Sequence, residues 1–125
     1  TSLQQRVYLA NSWPADYFVS IHCNANTNPA VNGTEVYVHQ QNTQAYWLAQ
    51  PVLNGVVDAV GTRDNGVRIN PSLYVLRRTA MPAILVELAY LTNGTDALKL
   101  RDEQPAFAQG IYNGLLSYFG FSKEP

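Results

Sequence analysis

Two side chains in this sequence stand where reactive groups are most useful, at the carboxyl ends of short apolar runs. Tyr17-Phe18-Val19-Ser20-Ile21 stops at His22 and enters a polar loop over residues 24–32. Ala83-Ile84-Leu85-Val86 stops at Glu87. Apolar runs of this length between turn residues read as buried strands, and open α/β sheets bind ligands outside the carboxyl ends of their strands. An imidazole placed there is a metal ligand, an acid/base or a structural group. A carboxylate at the end of the most apolar run must be solvated, protonated, held near a metal, or paired with Arg77 or Arg78, because isolating it from water is costly. If the two strands are neighbours, His22 and Glu87 share a cleft. A zinc-bound water beside a carboxylate then becomes the chemistry to consider: the metal lowers the water's pKa and polarises a carbonyl, and the carboxylate moves the proton, which suits hydrolysis of an amide.

Other candidates carry less. Cys23 follows His22, and adjacent strand residues point to opposite faces, so a Cys–His dyad is geometrically poor. Cys23 reads as structural. His39 reaches a metal with His22 only if their strands are adjacent and their faces match. A site built from His22, His39 and Glu87 would belong to a different class of zinc peptidase. Asn32-Gly33-Thr34 and Asn93-Gly94-Thr95 fit the glycosylation pattern but read as turns.

The elements that must hold these residues follow from periodicity. A helix is expected over 3–12, with Leu3, Val7 and Ala10 on one face and Trp13-Pro14 ending it. The histidine strand covers 17–22 and a second strand 35–39, where alternation puts Val36 and Val38 on one side and Glu35, Tyr37 and His39 on the other. A long helix over 43–60 carries an apolar stripe, with Pro51 inside it to kink or split it and Gly61 to end it. Residues 62–71 read as a loop with an Asp64-Asn65-Gly66 turn, 73–77 as a third strand and 83–88 as a central fourth. A short helix over 95–100 capped by Thr95 and a last helix over 105–119 complete the chain. The last helix has a stripe of Phe107, Ala108, Ile111, Leu115, Leu116 and Phe119. The fold class is α/β, a mixed and mostly parallel sheet with helices on both faces.

The 125 residues suffice for one domain with one core, and 46% hydrophobic against 14% charged residues argues for a folded chain. Net charge is -1, with no basic stripe, which argues against nucleic acid as a partner. No apolar stretch spans a bilayer. A single cysteine excludes an internal disulfide and a cysteine-based zinc knuckle. Eight tyrosines, two tryptophans and many asparagines suit a surface that binds sugars or peptides.

Several stretches, in order, resemble the zinc-dependent N-acetylmuramoyl-L-alanine amidases, the type 3 amidase family of bacterial cell-wall hydrolases. They are Phe18-Val19-Ser20-Ile21-His22-Cys23-Asn24-Ala25, Gly33-Thr34-Glu35-Val36-Tyr37-Val38, and the run from Val75-Leu76-Arg77-Arg78 through Glu87-Leu88-Ala89-Tyr90 to Asn93. Leu3-Gln4-Gln5-Arg6-Val7-Tyr8-Leu9-Ala10-Asn11 is similar to the helix before the histidine strand, and Asn65-Gly66-Val67-Arg68 to the loop before the third strand. The resemblance implies that His22 is a zinc ligand and that Glu87 is the catalytic carboxylate. It also implies that Arg77 and Asn24 contact substrate or shape the cleft. The scissile bond would join the lactyl group of N-acetylmuramic acid to the L-alanine of the stem peptide in peptidoglycan, outside the cytoplasm. Family members open on a strand ending in an Asp-Pro-Gly-His-Gly-Gly-like motif that supplies a second zinc histidine, and a glutamate ligand follows on the next helix. Neither stands in this chain. Residues 1–125 are therefore expected to form a single, N-terminally incomplete amidase domain that is inactive alone and exposes a sheet edge on which a second copy can pair. The alternative is a degenerate module that grips peptidoglycan or a partner protein without cleaving.

Overall fold

A computed structural model describes residues 1–121. Helix α1 (Leu3–Ser12) opens on a capping box in which Ser2 and Gln5 satisfy each other's backbone N–H groups. Strand β1 (Phe18–Asn24) and strand β2 (Thr34–Val38) follow, then helix α2 (Gln44–Val60), strand β3 (Asp64–Ile69), helix α3 (Tyr74–Arg78), strand β4 (Ala83–Tyr90), helix α4 (Gly94–Asp102) and helix α5 (Gln104–Tyr118). The four strands form one sheet in the order β1-β4-β2-β3. β4 runs parallel to β1 and antiparallel to β2, and β3 runs parallel to β2. β4 is central, as its near-continuous apolar sequence requires.

The two faces of the sheet carry different layers. Val36, Val38, Ile84 and Val86 pack on α2, behind which lies α5, and this is the main core. On the opposite face Ala83 and Leu85 meet Val7 of α1 and Val75 and Leu76 of α3 in a smaller cluster. Helices thus cover both faces. α2 and α5 approach closely because glycines line their contact: a Cβ on Gly110 would fall 2.6 Å from the Gly55 carbonyl oxygen, and one on Gly114 2.5 Å from Val52 Cα. Buried Asp96 accepts from the backbone N–H groups of Gly33 and Tyr90, fixing the start of β2 against the end of β4.

Five expectations need correction. Residues 73–77, read as a strand, form α3 instead. Asn70 receives the N–H groups of Ser72 and Leu73, winding the chain just after Pro71. Val75 and Leu76 are both buried, packed with Val7, Ala83 and Leu85 against one face of the sheet. Residues 64–69, read as loop and turn, form edge strand β3, whose polar sequence suits an exposed edge while its ladder comes from β2. Pro51 does not split α2, which passes through it as one helix. The fully buried Val52, Leu53 and Val56 around it supply the packing that offsets the lost hydrogen bond, a cost of roughly 3 kcal/mol. The cap of α4 is Asn93, which accepts from the Asp96 N–H, in place of Thr95. In α5 the buried face turns toward Gly110 and Gly114, leaving Ala108 and Phe119 exposed.

β1 and β3 are the sheet edges among the described residues. Beside β1 an apolar groove of about 470 Å³ runs between α1 and the strand, with Leu9, Trp13 and Ile21 exposed along it.

Candidate active site

Strand pairing brings the two reactive groups together. His22 on β1 is the Cα partner of Glu87 on β4, and Glu87 is the Cα partner of Glu35 on β2. Cα partners point to the same side of a sheet, with neighbouring strands about 4.8 Å apart. The three residues therefore form a row across one face, at the carboxyl ends of the parallel pair β1 and β4. A cleft of about 290 Å³ opens over this row, lined by His22, Asn24, Tyr37, Asn70, Tyr74 and Glu87 among others.

The row is chemically uneven. Glu35 is fully buried. Its carboxylate accepts from Tyr37 Oη at 2.5 Å, Tyr90 Oη at 2.9 Å, Asn65 Nδ2 at 3.1 Å, an Arg68 guanidinium nitrogen at 3.1 Å and Asn24 Nδ2 at 3.4 Å. These donors come from all four strands. Glu87 Oε1 is also buried and has no hydrogen-bond partner among the described residues. Its carboxyl is pushed up to about 7, first by burial and then by the charge of Glu35. A carboxyl poised there exchanges protons at neutral pH, which is what a general acid/base needs.

His22 Nε2 lies 2.6 Å from the buried Ser20 hydroxyl, two residues back on the same face. Burial and the nearby Arg6 charge hold His22 below its ordinary value, so the imidazole is neutral at pH 7. Its second ring nitrogen is the natural donor for a ligand. Burial raises the Tyr90 hydroxyl to about 12, and its bond to Glu35 adds to this. Burial, followed by the Glu87 charge, pushes the Cys23 thiol up, so Cys23 is no thiolate nucleophile.

Of the residues singled out from sequence, His22, Asn24 and Glu87 meet in the cleft. Arg77 does not line it. Arg77 lies in a second cleft of about 350 Å³ with His39, Gln40, Thr43, Gln44 and Thr79. His39 follows the end of β2, which runs antiparallel to β4, and so sits at the opposite end of the sheet from Glu87. A His22–His39–Glu87 site is not assembled. Nor does an Arg77 or Arg78 ion pair answer Glu87; Arg68 makes the buried pair, and it makes it with Glu35.

Glu35 is the residue that sequence reasoning passed over. Alternation put it on the face of Tyr37, but a glutamate in a strand reads as solvated unless its partners are known. Those partners stand at positions 24, 37, 65, 68 and 90, far apart in the chain. The available signal was the row of polar side chains among apolar neighbours in Thr34-Glu35-Val36-Tyr37-Val38.

Catalytic zinc takes about three protein ligands plus water. Among the described residues no group of three histidine, cysteine, aspartate or glutamate side chains is placed to hold a metal, and both Glu35 oxygens are occupied by donors. His22 suits one ligand position, and the remaining residues do not complete a site by themselves.

Known proteins resemble this chain in sequence and in fold. A family model described as N-acetylmuramoyl-L-alanine amidase matches residues 1–117. The amidase LytC of Bacillus subtilis is 40% identical over 122 residues, covering 94% of this chain and 24% of LytC. Among solved structures, an N-acetylmuramoyl-L-alanine amidase from Clostridium difficile 630 superposes with a TM-score of 0.88 at 40% identity, over 96% of this chain and 66% of that one. The catalytic domain of CwlV, an amidase from Bacillus (Paenibacillus) polymyxa, gives 0.86 at 37% identity over 98% and 68%. The chain spans between 24% and 58% of the length of the first curated relatives it matches. The family model's match over residues 1–117 and the 40% identity to LytC across most of the chain show that the chain belongs to the N-acetylmuramoyl-L-alanine amidase family.

Proposed function

We propose that this chain is the part of a peptidoglycan amidase that carries the proton-transferring carboxylate. The substrate is the amide between N-acetylmuramic acid and the L-alanine of the stem peptide. The observation that carries the reading is Glu87: a carboxyl with a buried oxygen unpartnered among the described residues, raised to about 7, in register with a neutral imidazole and open to a cleft of mixed lining. Glu87 takes a proton from the attacking water and returns it to the alanine nitrogen as the carbon–nitrogen bond breaks. Asn24, on the cleft wall, contacts substrate. Arg77 does so only where a bound glycan extends to the second cleft. Action is outside the cytoplasm, where peptidoglycan lies, and among the described residues no helix is long and apolar enough to cross a membrane.

Zinc activation belongs to the same proposal with a limit set by the donor set. His22 contributes one nitrogen, and zinc binding tight enough for catalysis needs further donors. The 125-residue chain is thus expected to hold less than stoichiometric zinc by elemental analysis and to release no peptide from purified cell wall. Within a domain as long as those of the solved relatives, release appears, and Glu87→Gln lowers it by roughly 100-fold or more with the circular dichroism unchanged. Full activity of that variant would remove Glu87 from the mechanism. The shortage of donors also favours a second reading, a non-catalytic module. It predicts sedimentation of the chain with cell wall and no hydrolysis even in the longer context. Pairing of two copies along the open β1 edge, part of the same expectation, is read by sedimentation velocity.

A further inference from the structure

The buried carboxylate of Glu35 dictates how its neighbours present themselves to the cleft. It offers acceptors only, so every group that touches it must donate. The Tyr37 hydroxyl, 2.5 Å from Glu35 Oε2, commits its proton there. What remains on the phenol oxygen is lone pairs. Arg68, Tyr37's Cα partner on β3, donates to the same Glu35 oxygen. A phenol oxygen has two lone pairs, so one stays free even where Arg68 takes the other. Asn24 donates one Nδ2–H to Glu35 and accepts the Ala25 N–H at Oδ1, so its amide keeps a further donor and a further acceptor position. Of the cleft-lining groups bound to Glu35, Tyr37 is the one whose remaining capacity is acceptor-only. Tyr37 lies on the face of the reactive row, with Leu85 as its Cα partner two residues before Glu87.

We propose that Glu35 is a positioning residue that fixes the Tyr37 hydroxyl as an acceptor, and that Tyr37 uses it to hold a peptide N–H of the substrate's stem. The inference rests on the amidase reading above and names which part of that substrate Tyr37 contacts. A hydroxyl free to rotate would serve donors and acceptors alike. One pinned by a carboxylate selects for a donor, such as a peptide N–H, and loses no rotor freedom on binding.

The test is binding, measured by NMR titration of the 125-residue chain with N-acetylmuramoyl-L-alanyl-D-isoglutamine and, separately, with N-acetylmuramic acid. Tyr37→Phe removes one hydroxyl and leaves Glu35 with its other donors. It is expected to weaken the peptide-bearing ligand about fivefold, the effect of one neutral hydrogen bond, and to leave the sugar's affinity unchanged. Glu35→Gln is expected to weaken the peptide-bearing ligand at least as much, and adding Tyr37→Phe to it should cost nothing further, because the two act as one unit. Unchanged affinity in Tyr37→Phe overturns the proposal. So does equal loss toward the sugar alone, or simple additivity in the double variant. A Glu35 that is merely structural would lower the melting temperature of Glu35→Gln without moving its affinity. Should Glu35→Gln not fold, the Tyr37→Phe comparison between the two ligands decides alone. Failure of the unaltered chain to bind the peptide-bearing ligand removes the amidase reading of the cleft, and this inference with it, whereas binding that Tyr37→Phe leaves intact removes only the inference.

Discussion

Glu35 and Glu87 are Cα partners on adjacent strands and face the same way, yet their surroundings are opposite. Glu35 is sealed from solvent and bonded to five donors, one of them a guanidinium. Glu87 has a buried oxygen with no partner among the described residues and a carboxyl raised to about 7 by burial and by Glu35 itself. One carboxylate is satisfied and so holds the architecture around it. The other is left unsatisfied and so is available to exchange a proton. The satisfied charge also helps to raise the unsatisfied group, so the two environments are linked.

The comparison can be broken most severely at Glu35. Glu35→Ala strands Arg68, Tyr90, Asn65 and Tyr37 without their acceptor and is expected to destabilise the fold by about 3 kcal/mol or more, read from urea unfolding. Arg68→Ala keeps the carboxylate but removes its charged donor. Because that guanidinium is half exposed, the expected loss is smaller, about 2 kcal/mol in the same assay. Tyr90→Phe removes one donor from Glu35 and adds no charge imbalance, for a loss of about 1 kcal/mol.

The other side of the comparison carries the opposite sign. The Glu87 carboxyl rises from 4.5 to about 7 on folding, so between these values the folded chain binds more protons than the unfolded one. Stability therefore falls as pH rises through that window, and the penalty is complete above it. Glu87→Gln removes the penalty. Since the group is half open to solvent, screening limits the gain to about 1 kcal/mol at pH 8, and the gain vanishes at pH 4, where both states are protonated. Melting curves of the two proteins at these pH values check the sign. A Glu87→Gln chain less stable than its parent at pH 8 would mean that the carboxylate is well partnered and that the contrast is false.

The reactive pair was legible because both residues terminate apolar runs, a local pattern that survives folding unchanged. Their adjacency needed one further fact, the parallel pairing of β1 with β4. Misreadings cluster where local preference was weak. Tyr74-Val75-Leu76 has β-prone residues, but the turn at Asn70-Pro71 leads into a helix that lays Val75 and Leu76 on the sheet. The stretch from Asp64 to Ile69 is polar and includes a glycine at φ 85°, a profile that suits a loop until β2 provides a ladder. Losing β3 hid Arg68 and Asn65, and without them Glu35 had no visible reason to be buried. Arg77 was attractive by likeness alone; the helix that replaced its strand carries it to the second cleft.

Sequence alone determined the α/β class, the strands that carry His22 and Glu87, the long apolar helix and the family, since each rests on periodicity or on residues contiguous in the chain. Only the tertiary structure decided which charges are answered and which are left open. Glu35 and Glu87 are both glutamates beside apolar neighbours, and nothing local tells them apart. Their difference is made by side chains brought from four strands to one point, and the free energy of a buried charge depends on those partners rather than on its neighbours in sequence.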